Sequence, residues 1–270
     1  MKTILITGTS SGIGKETAIL FAKKDWNVAA TMKNPDTLSL FADIKNITTY
    51  LLDVKDKDSI KSCIEKAIQD FGGIDVIVNN AGIYTTNPLE LTSDRTIDDV
   101  VETNLKGVLY TTKAILEHFR KNKSGIIVNV SSIAGRVTFP FQSIYHTTKW
   151  AIEGFSESLY YELKPIGIKV KVVEPGMVKT NIYNSVLDFS FEQYPNEYQD
   201  NFEKWHRYLM KNYENGYSPK IDANTIYKAV TGKNSKLRYT SDFITKLAFF
   251  LRSLFPLSVF QNIIKKQSNI

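Results

Sequence analysis

Residues 2–7, KTILIT, run straight into Gly8-Thr9-Ser10-Ser11-Gly12-Ile13-Gly14 and then into KETAILFAKK. No other junction in the chain constrains the fold as tightly. The first run is apolar and β-branched, the mark of a buried strand. The last carries Ala18, Ile19, Phe21 and Ala22 at helical spacing and ends in Lys23 and Lys24, where a helix dipole favours cations. A strand feeding a helix through a glycine loop makes a phosphate cradle. The glycines let the main chain approach an anion, and the helix N-terminus offers N–H groups. The spacing is G-x-x-x-G-x-G, not G-x-G-x-x-G, and a plain tight turn would use the same residues.

The alternation then repeats. A second strand, Asn27–Met32, is followed by a third, Ile47–Leu52, ending in Asp53-Val54. A helix from Asp56 to Phe71 stops at Gly72-Gly73, where glycine suits the left-handed cap. Ile74–Asn79 leads into Asn80-Ala81-Gly82, and Ser93 caps a long helix that contains Asn104. Gly125–Val130 leads into Ser131-Ser132, a helix runs from about Ile144 to Lys164 before Pro165, and Ile168–Glu174 ends in Pro175-Gly176. Strands alternating with helices through short links predict an α/β, doubly wound Rossmann fold with one parallel sheet, helices on both faces and a single domain over 1–270. Ligands on such sheets lie at the carboxyl ends of the strands. The glycine loop, Asp53, 80–82 and Ser132 all fall on that rim.

Tyr145 and Lys149 are four residues apart and so share one helical face. An ammonium beside a phenol favours the phenolate, so the Tyr145 pKa is expected to fall toward working pH. A tuned phenol can exchange a proton with a substrate oxygen, and Ser132 could hydrogen-bond the same atom. Alone, the pair also fits an ordinary solvated helix face. Asn104 has poor helix propensity, which points to a hydrogen bond or a kink. At the end of the second strand an NAD site usually places a carboxylate on the ribose 2′-OH. Here Met32 and Lys33 stand there, with no acid until Asp36. That fits a 2′-phosphate and hence NADP(H), although Lys33 also fits a solvated loop.

Composition excludes several classes. The chain has 270 residues, 43% hydrophobic and 23% charged, which suits a globular protein. Cys63 is the only cysteine, so a reducing, cytoplasmic setting is expected. Three histidines and one cysteine, widely scattered, offer no metal set. No apolar run is long enough to span a bilayer. The net charge of +6 is concentrated from Lys236 to the end, where six basic residues face one acid, Asp242. A nucleic-acid face across the molecule is therefore not expected.

Taken together, TGTSSGIG (7–14), NNAG (79–82), ETN with Asn104, VNVSS ending at Ser132, YHTTK (145–149) and PGMVKT (175–180) resemble the short-chain dehydrogenase/reductase family. Ser132 precedes Tyr145 by thirteen residues, the family's spacing. KLRYTS (236–241) and ATMKNPDTL (30–38) are similar to its 17β-hydroxysteroid dehydrogenase-like and acyl-dihydroxyacetone-phosphate reductase-like subgroup, and the former supplies a seventh strand. The resemblance implies an oxidoreductase interconverting a carbonyl and a secondary alcohol. Tyr145 would be the acid/base, Ser132 would hold the substrate oxygen, Lys149 would bind the nicotinamide ribose, and Asn104 would hold a relay water. Gly8, Ser10, Ser11, Gly12, Ile13 and Gly14 would cradle the dinucleotide. Lys33 would meet the 2′-phosphate, and Asp53 and Val54 the adenine. Asn80, Ala81 and Gly82 would lie by the ribose, and Pro175, Gly176, Val178 and Thr180 by the nicotinamide. NADP(H) is expected, with NAD(H) as the alternative. A non-catalytic dinucleotide sensor would not need the Tyr–Lys–Ser set. A homodimer or homotetramer is also implied.

Residues 183–217 are rich in aromatics: Tyr183, Phe189, Phe191, Tyr194, Tyr198, Phe202, Trp205, Tyr208, Tyr213 and Tyr217. They suggest a helical substrate lid over about 181–235 and a hydrophobic substrate, or a helical pair filling its own core. The tail, about 241–270, is apolar and basic and is broken by Pro256. Packing on the pocket or on a partner subunit is expected over lying on an anionic membrane.

Overall fold

A computed structural model describes residues 1–184, 194–233 and 236–270. The expected Phe189 and Phe191 lie outside the described residues. Seven strands form one parallel sheet: β1 (Thr3–Ile6), β2 (Asn27–Met32), β3 (Ile47–Leu51), β4 (Val76–Asn79), β5 (Gly125–Val130), β6 (Ile168–Glu174) and β7 (Arg238–Thr240), in the order β3-β2-β1-β4-β5-β6-β7. Strand order reverses between β1 and β4, and a ligand crevice belongs at that switch point. The glycine loop leaves β1 there, and Asn80 leaves β4 there.

The strands alternate side chains between two cores, as pleating requires. Ile4, Ile6, Val28, Ala30, Val76 and Val78 face one way, with α1 (Gly12–Ala22) and α7 (Lys220–Thr231). Leu5, Ala29, Ile77 and Ile127 face the other, onto α2 (Lys57–Phe71), α4 (Gly107–Lys121) and α5 (Ser143–Leu163). Asp56 caps α2 by accepting from Asp58 and Ser59 N–H, and Gly72 ends it at φ 76°. Cys63 is buried in the second core, and burial pushes its thiol up to about 12, so it behaves as a small hydrophobe.

Two expectations need correction. The long helix after Ser93 is not uniform: α3 (Asp94–Val101) passes through one π-helical turn, Glu102–Lys106, into α4. The lid is also shorter than 181–235. α7 buries Ala223, Ile226, Ala229 and Val230 against α1 and β6, so it is a sheet-covering helix joining β6 to β7. Among the described residues of that segment, α6 (Asn196–Glu214), preceded by the turn Asn181–Asn184, is the helix that stands over the rim. The chain ends in α8 (Phe243–Leu254) and α9 (Leu257–Ser268).

Candidate active site

One groove crosses the carboxyl ends of β1, β4 and β5, and nearly all of the expected residues line it. Its floor at β1 is built by glycines. Gly8 has φ +70° and Gly12 φ +56°, conformations that side chains disfavour. Gly14 is required for closeness: a Cβ there would lie 2.2 Å from the Gly8 carbonyl oxygen and 2.5 Å from Asn80 Nδ2. Asn80 laces the two strand ends together, its Nδ2 donating to the Thr7 and Gly8 carbonyls at 2.9 Å each. Ala81 closes on Gly8, and Gly82 follows beside Asn104. Ser10, Ser11 and Ile13 complete this wall. Ser11 caps α1 with extended backbone and makes no side-chain bond to the first turn, which also carries no acid. A helix start left this way suits an anion.

Gly14→Ala is expected to be destructive. In a helix, alanine for glycine ordinarily gains up to about 1 kcal/mol. Here the new methyl meets main chain that cannot swing away, and such overpacking costs roughly 1–3 kcal/mol. The clash therefore wins. Calorimetry should show a lower melting temperature, and dinucleotide titration should show lost binding; unchanged binding would mean the loop does not hold the cofactor.

The far end of the groove holds Met32, Lys33, Leu52, Asp53 and Val54. Lys33 is exposed there. The sequence reading missed its neighbours. Lys55 also lines the groove and bridges Asp99 at 2.5 Å and Glu102 at 3.1 Å, both brought in by α3 and the π turn. Asp99 lies within the field of Lys33 as well, which helps hold its carboxyl low after the larger effect of Lys55. One acid, Asp99, does therefore lie within electrostatic range of Lys33, from 66 positions along the chain, where scanning near β2 could not find it.

The candidate catalytic residues gather at the β5 end. Ser132 caps a single turn, its Oγ accepting from Ala134 N–H at 3.1 Å. Tyr145 lies on α5, buried, with Ser132 and Lys149 in the same groove. Lys149 Nζ donates to the Val130 carbonyl at 3.0 Å and stands 5.7 Å from the Tyr145 ring centre. The expected lowering of the Tyr145 pKa does not hold in this geometry. Burial dominates and pushes the phenol up to about 12, with the neighbouring Ser132 hydroxyl working the other way. Burial also lowers Lys149 to about 8, opposed by Glu153 one turn along α5. Desolvation outweighs the pairing that spacing alone suggests.

Asn104 is buried beside the groove without lining it. Its Oδ1 accepts from Ile83 N–H and its Nδ2 donates to the Ile83 carbonyl, both at 2.8 Å. The side chain thus fixes the loop after β4, and Nδ2 lies 3.4 Å from Thr148 on α5. Its place in the π turn accounts for an asparagine within a helix.

Several supports were not legible in advance. His146 accepts from Phe139 N–H through Nε2 at 2.8 Å, so the Nδ1 facing the Ala134 carbonyl at 2.8 Å carries the proton. This neutral ring, its pKa lowered by burial, ties the 134–139 loop to α5. Buried Glu153 accepts from Arg238 at 2.9 Å, and buried Glu174 from Arg136 at 3.1 Å. Tyr217 accepts from Gly176 N–H at 2.9 Å and donates to Asp222 at 3.1 Å, which holds Pro175-Gly176 in place. Thr180 then leans to Gly12 across the groove, and Val178 bridges to Tyr217.

Over Tyr145 rises an aromatic wall. Tyr84 packs edge-on to it at 5.0 Å, Tyr183 on Tyr84 at 4.8 Å and Tyr213 on Tyr183 at 4.7 Å. Phe202, Trp205 and Leu209 of α6 join the same cluster, and Trp205 donates to Thr86 at 3.0 Å. Most of the aromatic stripe is core: Tyr183 lines the groove, while Tyr84, Phe202 and Trp205 are buried behind it.

Comparison with known proteins settles the family. The family model described as short chain dehydrogenase matches residues 2–189. The chain belongs to the short-chain dehydrogenase family. A 3-ketodihydrosphingosine reductase of Bacteroides thetaiotaomicron is 34% identical over 235 residues, covering 87% of this dehydrogenase and 86% of that protein. A solved short-chain dehydrogenase from Streptomyces avermitilis superposes with a TM-score of 0.83 at 30% identity, covering 99% and 97% of the two chains. ElxO, solved with NADP bound, superposes with a TM-score of 0.72 at 30% identity, covering 90% and 99%. The dehydrogenase is an NAD(P)-dependent oxidoreductase, and its glycine cradle, open helix start and long groove fit a nicotinamide dinucleotide.

Proposed function

We propose that this dehydrogenase is an NADP(H)-preferring carbonyl reductase for a hydrophobic substrate, with Tyr145 as proton donor. The carrying observation is Tyr145 itself: a buried phenol beside Ser132 and Lys149, in one groove with the glycine cradle and under an aromatic wall. The nicotinamide supplies or accepts the hydride. Tyr145, held protonated by burial, gives its proton to the carbonyl oxygen as that oxygen gains charge. Ser132 donates to the same oxygen and orients it. Lys149 holds the ribose and, when charged, assists release of the phenol proton. Asn104 positions the loop at Ile83. Reduction consumes carbonyl, reduced cofactor and a proton; oxidation of the alcohol runs the reverse. Ile182 and Tyr183, which line the groove with Tyr145, support a hydrophobic substrate, as does likeness to a reductase whose name gives a ketone on a sphingoid chain.

Lys33 supports NADP(H), and Asp99 limits how strongly. A charge-assisted bond is worth about 1.5–3 kcal/mol, but an exposed lysine near an acid delivers less. Lys33→Ala should weaken NADPH roughly tenfold, about 1.4 kcal/mol, and NADH much less. Equal losses for the two would remove the phosphate contact. The function itself is tested by following reduced-cofactor oxidation with a series of ketones of increasing chain length. The reading expects kcat/KM to climb with chain length; preference for short polar ketones would overturn the hydrophobic site.

A further inference from the structure

The C-terminal helices carry a face that the rest of the chain leaves uncovered. Among the described residues, nine of the seventeen exposed large hydrophobic side chains fall between Phe243 and Ile263. On α8 they form one stripe, Phe243, Leu247, Phe250 and Leu254, at spacings of four, three and four. Ile244 flanks it at 76% exposure, and Phe255 and Leu257 continue it around the Pro256 corner. The expectation that this tail packs on the pocket is half met. The opposite face of the same helices is docked: Phe249 and Phe260 bury against Val137, next to the Ser132 loop. Asp242 caps α8 by accepting from Thr245 N–H at 2.9 Å, and α9 packs on α6. The two helices are therefore held on the body by one face while the other meets solvent.

We infer that this outer face docks on an anionic lipid surface. Charge chooses among occupants. From Phe243 to the end the side chains include Lys246, Arg252, Lys265 and Lys266 and no acid. The three lysines are exposed. A second copy meeting this face symmetrically would set these cations against their own images, which is repulsive in a desolvated contact. Anionic headgroups complement them, while the apolar stripe enters the acyl boundary. No described helix is long and apolar enough to cross a membrane, so the geometry is one of lying on the surface. The docking does not depend on which substrate the groove takes. In the fold α9 packs against α6, whose Phe202, Trp205 and Leu209 share a buried cluster with Tyr145.

The test is co-sedimentation of the full chain with vesicles of phosphatidylcholine alone and of equal parts phosphatidylcholine and phosphatidylglycerol. The wild type should bind the mixed vesicles at least about tenfold better than the neutral ones. Two variants probe the two components. Phe243→Ser/Leu247→Ser/Phe250→Ser should lose binding to both vesicles. Lys246→Glu/Lys265→Glu/Lys266→Glu should lose the preference for phosphatidylglycerol, again by roughly tenfold or more. All substituted side chains are exposed, so melting temperatures should stay near the wild type; should the serine variant unfold, the charge variant decides alone. Wild-type binding that ignores phosphatidylglycerol, or a charge variant that binds as the wild type does, overturns the proposal. So does wild type that ignores all vesicles while the serine variant splits an oligomer in sedimentation velocity, which would make the face an interface between copies.

Discussion

Tyr145→Phe is expected to lower kcat by about 10²–10⁴-fold, the range that a positioned acid contributes. The effect should fall on kcat and leave NADPH binding near the wild-type value. The proposed function has the phenol act on substrate, whereas the dinucleotide is expected to be gripped by the glycine loop and by 80–82, all in the one groove. The phenyl ring preserves the packing on Tyr84, 5.0 Å away, so the aromatic wall should remain intact. The measurement is a pair of steady-state and titration experiments on the same preparation. Activity within tenfold of the wild type would assign proton donation elsewhere. The neighbouring phenol of Tyr84 would then be examined first, although burial raises it well above the usual tyrosine value.

Lys149→Met should abolish turnover and yet stabilise the protein. Burial lowers this lysine from the usual 10.5 to about 8. Each pKa unit corresponds to about 1.4 kcal/mol, so keeping the ammonium charged in the fold costs about 3 kcal/mol at neutral pH. Methionine has a similar shape and no charge; the lost hydrogen bond to Val130 returns roughly 1 kcal/mol of that. The net expectation is a gain of about 1–2 kcal/mol at pH 7. The sign fixes its pH dependence. Below about 8 the folded lysine is protonated and the full penalty stands. From about 8 to 10.5 the folded state releases a proton that the unfolded chain still holds, so wild-type stability rises with pH and the gap to the variant closes. Thermal melts of both proteins across that range check this. A variant that is less stable at pH 7, or a gap that widens with pH, would show that Lys149 is not a desolvated cation. The trade of stability for a charged group at an active site is a common one.

Short-range chemistry made most of the sheet legible. Val76–Asn79 and Gly125–Val130 are apolar runs bounded by turn residues, and the loops after them carry Asn80 and Ser132 to the rim wherever the sheet is parallel. What the sequence hid depends on distance. Asp99 meets Lys55, 44 positions away, only because α3 folds over the groove. Glu153 meets Arg238 across 85 positions, and Tyr217 reaches back to Gly176 across 41. The expected lid over 181–235 rests on aromatics that end at Tyr217, and α7 beyond them buries one face as any docked helix does. Only the packing on α1 tells which surface it covers. The Tyr145 pKa failed for a related reason: spacing shows that Lys149 is near, while burial, set by Tyr84, Tyr183 and α6, decides the direction.

The central claim is that the groove over β1, β4 and β5 binds a nicotinamide dinucleotide and prefers the phosphorylated form. Parallel fluorescence titrations of the purified protein with NADPH and NADH test it most directly. The account predicts saturable binding of both, with NADPH the tighter and with the difference largely lost in Lys33→Ala. Binding of neither would contradict it, and NADH binding more tightly than NADPH would contradict the role given to Lys33.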